Sequence, residues 1–481
     1  MLKKVLIANR GEIALRVIRE CMDNGIKTVI AYSEADRDSL PVMIADQAVC
    51  IGPAAPAKSY LDKERIITAA LLTGCDAIHP GFGFLSENPS FARMCEENGL
   101  KFIGPSSSVI ADMGDKAKAR EMMKTAGVPV VPGSDGPVSS LEEAQQIAEK
   151  IGFPVLIKAS AGGGGRGMRR ANSPEEFPEA LQAASMEAKA AFGDGTVYIE
   201  KLILNPRHIE VQILADQFGN IVHLGERNCS IQRRNQKMLE EAPCFGLAQD
   251  VRERLYAAAV KAAEVCSYES AGTVEFVMDH DGNFYFIEMN TRIQVEHPVT
   301  EMVTGVNIVL QQLRIASGAP LNIRQEDIHI QGHAIECRIC AEDAANGFSP
   351  APGKADFVHF PGGCGVRVES ALFSGAEVSP WYDSLAAKII VCADTRVQAV
   401  RRMRRALAET IIRGIPTTLD IQQLILYDRK FLRGSYTTGF ADEELPSLIR
   451  TLNTAGTIAE AESSRHPDEQ DKTASASANQ A

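Results

Sequence analysis

Between Gly272 and Glu296 the chain carries a pattern that few folds accommodate. Two β-rich runs, Gly272-Thr-Val-Glu275-Phe-Val-Met278 and Phe284-Tyr-Phe-Ile-Glu288-Met-Asn290, flank Asp279-His-Asp-Gly282-Asn283, a hairpin signal. From Glu288 onward every second side chain is polar: Glu288, Asn290, Arg292, Gln294 and Glu296. In an extended strand these residues share one face. The pattern predicts a strand whose face presents carboxylate, amide, guanidinium, amide and carboxylate in a row, the floor of an active site. Closing the hairpin brings Glu275 beside Glu288, with Asn290 one pair further along. Two carboxylates and an amide oxygen make an all-oxygen site suited to Mg²⁺ or Mn²⁺, which take further ligands from water and nucleotide phosphates. The bland alternative is an edge strand whose acids block aggregation.

A second cluster offers a grip on phosphate. The run Phe153-Pro-Val-Leu-Ile-Lys158 leads into Gly162-Gly-Gly164-Gly165-Arg166-Gly167. Glycine lets backbone N–H groups approach phosphate while the lysine adds charge. No Gly-Lys-Ser/Thr opens a helix here, so it is not a Walker A loop, nor does it match the dinucleotide fingerprint. Alone it reads equally as a linker; followed by paired carboxylates, it reads as a lid over ATP.

The rest of the chain sets the frame. Residues 1 to about 112 alternate short β runs (Lys4 to Ala8, Thr28 to Tyr32, Ala77-Ile78, Phe102-Ile103) with helical stretches, which predicts a parallel α/β sheet. Ser173-Pro174 is expected to open a long helix after the glycine loop. Strands are expected around 209–214, 221–226, 272–277 and 284–288, and a late antiparallel part is punctuated by Ser349-Pro-Ala-Pro-Gly and Pro361-Gly-Gly. The 481 residues, 45% hydrophobic, suffice for two to four domains. The first residues hold too short an apolar run for a signal peptide, and no stretch reaches membrane-span length. Eleven unpatterned cysteines fit a reducing cytoplasm, and Cys337-Arg-Ile-Cys340 reads as buried strand cysteines. A net charge of −12 without a basic patch argues against a nucleic-acid partner. From about Ala455 the composition is too poor in large apolar residues to offset ordering entropy, so a disordered tail, 455–481, is expected.

Several long motifs resemble the biotin carboxylase family, the ATP-grasp component of biotin-dependent carboxylases. They are Ile7-Ala-Asn-Arg-Gly-Glu-Ile-Ala-Leu-Arg16, His79-Pro-Gly-Phe-Gly-Phe-Leu-Ser-Glu-Asn88, Met113-Gly-Asp-Lys116, Arg207-His-Ile-Glu-Val-Gln212, Gln232-Arg-Arg-Asn-Gln-Lys237 and His333-Ala-Ile-Glu-Cys-Arg338, together with Glu288 to Glu301. The resemblance spans roughly 1–445. It implies an α/β and α+β protein: an N-terminal parallel α/β domain (1–112), an ATP-grasp domain (113–325) with a mobile glycine-rich lid at about 130–203, and a C-terminal mixed, largely antiparallel domain (326–445).

The resemblance also implies roles. Lys116, Lys158 and the amides of Gly164 and Gly165 would contact ATP phosphates, and Glu200-Lys201-Leu202-Ile203 would read the adenine. His208, Gln232 and Asn235 would meet the nucleotide, and Glu275, Glu288 and Asn290 would hold two Mg²⁺ or Mn²⁺ ions. Glu296 would deprotonate bicarbonate held by Arg292, Lys237 and the Val295 amide, with Gln294 a further binding residue. The carboxyphosphate so formed would yield CO₂ and phosphate, and Arg338 would stabilise the biotin enolate. On the residues alone, Arg338 reads more readily as a strand ion pair with Glu336. Two positions depart from the common family pattern: Asn235 stands where many members have His, and Phe82 where many have Tyr. Neither removes a catalytic group. With no Met-Lys-Met in the chain, biotin is expected on a separate biotin carboxyl carrier protein. The other implied partners are a second copy of the chain, as a homodimer, and a separate carboxyltransferase. Rival readings are an ATP-grasp ligase with another acceptor and a non-catalytic nucleotide sensor.

Overall fold

The computed structural model describes residues 2–138, 140–159 and 168–465. The N-terminal part is a five-stranded parallel sheet in the order β3-β2-β1-β4-β5: β1 (Lys4–Ile7), β2 (Lys27–Ser33), β3 (Gln47–Gly52), β4 (Ala77–His79) and β5 (Lys101–Phe102). The apolar run Val5-Leu-Ile7 is wholly buried, as strands covered by helices on both faces require. The edge strand β3, half of it exposed, escaped the sequence pattern because it has little apolar alternation.

Three strands, β6 (Val155–Ala159), β7 (Met168–Ala171) and β8 (Val197–Lys201), form a separate small antiparallel sheet in the expected lid. Its helix begins at Phe177, with Pro178 in the first turn, rather than at Ser173-Pro174. Proline is favoured where the first N–H groups have no partner anyway, and the second of the two prolines takes that place.

The body of the molecule is one eight-stranded antiparallel sheet, ordered β13-β12-β9-β10-β11-β14 and then the strands Leu385–Ala393 and Val366–Glu369. Its members are β9 (Arg207–Ala215), β10 (Ile221–Arg233), β11 (Gln236–Ala242), β12 (Ser270–Met278), β13 (Phe284–Asn290) and β14 (His333–Cys340). The boundary expected at 325/326 therefore runs through a single sheet, with β11 paired to β14 from Leu239↔Cys337 to Ala242↔Ala334.

A bulge between His223 and Glu226 sets the register of the sheet centre. Gly225 sits there at φ +82°, and a Cβ on it would approach Ile330 to 2.5 Å. The bulge leaves Arg227 directly opposite Glu210.

The strand expected to continue from Glu288 to Glu296 does not. β13 ends at Asn290, residues 291–296 form a loop, and the helix His297–Thr304 follows. Glu296 is its N-cap at φ −82°, ψ 9°, not extended backbone, because Pro298 fixes a helical first turn. The final helix runs from Phe440 to Arg465, into the expected disordered tail, and 466–481 lie outside the described residues. No helix among the described residues is long and apolar enough to cross a membrane.

Candidate active site

Strand alternation aims His208, Glu210 and Gln212 of β9 at one face of the central sheet. Glu275 of β12 lies directly opposite Glu210, and Glu288 of β13 lies opposite Glu275, the pair the hairpin predicted. The Arg234-Asn235 tip, both residues at positive φ, turns β10 into β11 and presents Lys237 and Glu240 toward this face. Arg338 of β14 closes the row.

These side chains form a continuous buried charge network. The Lys237 ammonium donates to Glu210 Oε2 at 2.6 Å, Glu275 Oε1 at 3.1 Å and Glu296 Oε1 at 2.6 Å. Arg338 donates through Nε to Glu240 at 2.6 Å and through Nη2 to Glu296 Oε2 at 2.9 Å. Arg227, fully buried, donates to Glu210, Gln212, Thr273 and Thr300. His208 Nε2 lies 3.1 Å from Glu275.

Burial would push the Glu296 carboxyl up, but Lys237, Arg338 and Arg227 outweigh it and hold the group below its ordinary value. Glu296 is thus an ionised carboxylate with no solvent exposure, a proton acceptor flanked by cations. Burial would lower Lys237, yet the three glutamates hold it well above its usual value, so it stays charged. His208 follows the same logic and is raised to about 9, chiefly by Glu275 against the opposing effect of burial.

The loop 291–296 adds a second arm. Arg292 donates from Nε to Glu87 at 2.9 Å, from Nη1 to Gln294 at 3.1 Å and from Nη2 to Asn290 at 3.0 Å. Asn290 and Gln294 in turn donate to Glu275 at 2.8 and 3.0 Å. The polar residues converge because the loop folds back, not because a strand alternates. The Val295 carbonyl accepts from Lys388 at 2.7 Å.

The end expected to meet phosphate is more open. Lys116 meets Glu288 at 3.0 Å, with 65% and 33% of the two side chains exposed. Lys158 meets Glu200 at 2.5 Å, and Arg120 approaches the same carboxylate. The run expected to read the adenine is held by backbone bonds from Lys201 to Pro132 and Leu202 to Pro154, with Ile203 following half-buried. Gln232 pairs with Lys237 across the hairpin, while Asn235 stands exposed at its tip. Gly164 and Gly165 lie outside the described residues.

Glu275 and Glu288 each carry cationic partners, Lys237 with His208 and Lys116 respectively, and Asn290 adds an amide oxygen. That all-oxygen donor set suits a hard divalent cation. His208, Glu210 and Glu275 also converge, their ligand atoms lying within 4.8 Å of one another. Glu210 is already spent on Arg227 and Lys237, so this trio belongs to the charge network.

Sequence reasoning missed Glu210, Arg227, Glu240 and Glu87. The first had a signal, because His208, Glu210 and Gln212 alternate on an otherwise apolar strand. Glu87 and Arg227 had none, since their partners are distant in sequence.

Comparison with known proteins places this arrangement. The sequence profile of the biotin carboxylase N-terminal domain matches residues 1–110, that of the ATP-binding domain of the carbamoyl-phosphate synthase L chain matches 115–324, and that of the biotin carboxylase C-terminal domain matches 336–443. A biotin carboxylase from Nostoc sp. is 55% identical over 440 residues, covering 92% of this chain and 98% of the relative. A biotin carboxylase from Haemophilus influenzae is 54% identical over 446 residues, covering 92% and 99%. The biotin carboxylase domain dimer of Hydrogenobacter thermophilus 2-oxoglutarate carboxylase, solved with MgADP, ADP and bicarbonate, superposes with a TM-score of 0.86 at 53% identity, covering 93% of this chain and 99% of that one.

Proposed function

The chain belongs to the biotin carboxylase family, and on that premise we propose that it carboxylates carrier-bound biotin using ATP and bicarbonate, with the buried network as its acceptor site. The observation that carries this reading is Glu296: fully buried, ionised, and bonded at one oxygen to Lys237 and at the other to Arg338.

Bicarbonate enters as an anion and must meet another anion, the γ-phosphate. Lys237, Arg292, Gln294 and the Val295 amide hold it, offsetting that repulsion and fixing the angle of attack. Glu296 takes its proton, and bicarbonate oxygen displaces ADP from the γ-phosphorus to give carboxyphosphate. This mixed anhydride yields CO₂ and phosphate; phosphate removes the ureido N–H proton of biotin, and the nitrogen attacks CO₂. Arg338 stabilises the enolate oxygen of the ureido group. Its Nε and Nη2 are spent on Glu240 and Glu296, and no hydrogen bond among the described residues engages Nη1.

On the nucleotide side, Lys116 and Lys158 bind phosphates, Gly164 and Gly165 cover them, and Glu200 to Ile203 meet the adenine. His208, Gln232 and Asn235 contact the nucleotide. Glu275, Glu288 and Asn290 would hold Mg²⁺ or Mn²⁺, which supplies charge neutralisation on the phosphates. The chain works in the cytoplasm as a homodimer, beside a biotin carboxyl carrier protein and a separate carboxyltransferase. Among the described residues every cysteine is free, as a reducing compartment allows.

The test is ATP hydrolysis with and without bicarbonate, then with free biotin. Hydrolysis that needs bicarbonate and yields carboxybiotin is expected. Hydrolysis that is indifferent to bicarbonate would assign the chain a different acceptor.

A further inference from the structure

Behind Arg338 the sheet places two glutamates face to face. Glu240 of β11 and Glu336 of β14 are directly paired across the antiparallel ladder, so their side chains leave the same face at neighbouring positions. Both residues have no solvent exposure. Glu240 spends one oxygen on Arg338, and its Oε2 has no partner; both oxygens of Glu336 lack one. Two ionised carboxyls in such a setting repel strongly and lack the hydrogen bonds that would offset their desolvation.

One proton held between the two carboxyls removes that repulsion. The groups that face the pair come from every neighbouring element. Arg338 lies on β14 itself, Lys237 on β11 and Lys388 on the strand Leu385–Ala393. Glu296 comes from the loop, and Glu12 of the first helix holds Lys388 at 3.0 Å. His297, which opens the covering helix, is kept neutral by burial and by nearby Lys388. None of these cations lies at ion-pair distance from Glu336 among the described residues.

We propose that Glu240 and Glu336 share one proton at neutral pH, and that Glu240 is a positioning residue that holds Arg338 for the biotin half of the reaction. The proposal rests on the role assigned to Arg338 above. With the pair singly protonated, Glu240 faces Arg338 as an anion, which fixes the guanidinium by Nε and leaves Nη1 for the substrate oxygen. Loss of the shared proton puts one uncompensated negative charge behind the guanidinium. That charge draws Arg338 back from its substrate, so biotin carboxylation falls on the alkaline side while the bicarbonate-side chemistry at Glu296 and Lys237 continues. The shift directions agree: burial raises both carboxyls, Glu240 to about 7 and Glu336 well above its ordinary value.

Infrared spectroscopy of the full chain tests the proton directly. A carboxylic-acid C=O band is expected at neutral pH; it should vanish in Glu336→Gln, where Glu240 keeps Arg338 as its partner, and shift in Glu240→Gln, where the buried Glu336 loses the carboxyl that shares its proton. A band that neither substitution removes or shifts places the proton elsewhere, at Glu12 for instance, and overturns the pairing, as does a chain with no such band. Kinetics test the positioning role. Glu240→Gln should lower biotin carboxylation by about 10-fold or more, the worth of a hydrogen bond to a charged group, while bicarbonate-dependent ATP hydrolysis falls by less. Glu336→Gln should keep that hydrolysis and lose the alkaline limb of the carboxylation profile; an unaltered limb counts against the pair. Absence of bicarbonate-dependent hydrolysis in the unsubstituted chain would instead sink the functional reading and leave the infrared result standing.

Discussion

Glu240 and Glu241 are neighbours on one strand, both without solvent exposure, yet they face opposite sides of the sheet and live in opposite chemistries. Glu241 points to the rear core. There His333 Nε2 lies 2.7 Å away, Arg396 Nε donates at 2.7 Å, and the Tyr436 hydroxyl donates to its other oxygen. Burial pushes its carboxyl up, but His333 and Arg396 overcome this and hold it at about 2. Glu240 has one arginine, an unpartnered oxygen and a second carboxyl opposite. The rear face saturates its buried charge and so serves structure. The front face leaves Glu240 and Glu336 under-satisfied beside an otherwise paired network.

Substitutions on the two faces should therefore fail differently. The largest effect belongs to the front: Glu296→Gln should cut both bicarbonate-dependent ATP hydrolysis and biotin carboxylation by roughly 10²–10⁴-fold, the usual worth of a general base. Its melting temperature should fall only modestly, because Lys237 keeps Glu210 and Glu275 and Arg338 keeps Glu240. Retained hydrolysis would remove Glu296 as the base. On the rear face, Glu241→Gln should cost about 3 kcal/mol of stability, since it strands Arg396 and His333. The ratio of carboxylation to hydrolysis in the surviving folded protein should not move; a changed ratio would show that the rear face reaches the chemistry.

The same glutamate sets a pH signature. Its folded value lies below the unfolded one of about 4.5, so its stabilisation is present above that pH and is lost as pH falls toward about 2. Acid melts of the substituted and unsubstituted proteins should converge across that window. Parallel curves would show that Glu241 is not the titrating group. The smallest effect is expected at the open end: Lys116→Ala should raise the KM for MgATP by about 10-fold, a loss near 1.4 kcal/mol, with little change in melting temperature. A large thermal shift would mean the exposed Lys116–Glu288 pair is structural after all.

The sequence revealed the parts of this contrast unevenly. Local patterns were legible: the parallel N-terminal sheet, the hairpin that sets Glu275 against Glu288, and the polar run ending at Glu296. The geometry of that run was not, because Pro298 starts a helix and converts the expected strand into a loop. Nor was the assembly of β11 with β14, which joins residues about a hundred positions apart and creates the Glu240–Glu336 pair. Long-range pairing leaves no periodic trace. Arg338 could not be told from an ordinary strand ion pair by residues alone, and it does bind a glutamate. That glutamate is Glu240 on the neighbouring strand rather than Glu336 on its own. The lid's Gly164 and Gly165 remain a reading of sequence.

The bond from Arg292 to Glu87 carries a lesson for recombination. Glu87 belongs to the first hundred residues, and it grips both the Arg292 guanidinium and, at 3.3 Å, the Thr291 amide some two hundred positions later. If Arg292 is the proposed bicarbonate clamp, a guanidinium held this way cannot be transplanted with the ATP-binding segment alone. A chimera that joins residues 113–445 to another N-terminal unit needs a carboxylate at that loop position, with the same reach. Without it, the guanidinium is free to swing, and the hybrid would bind nucleotide while gripping bicarbonate poorly.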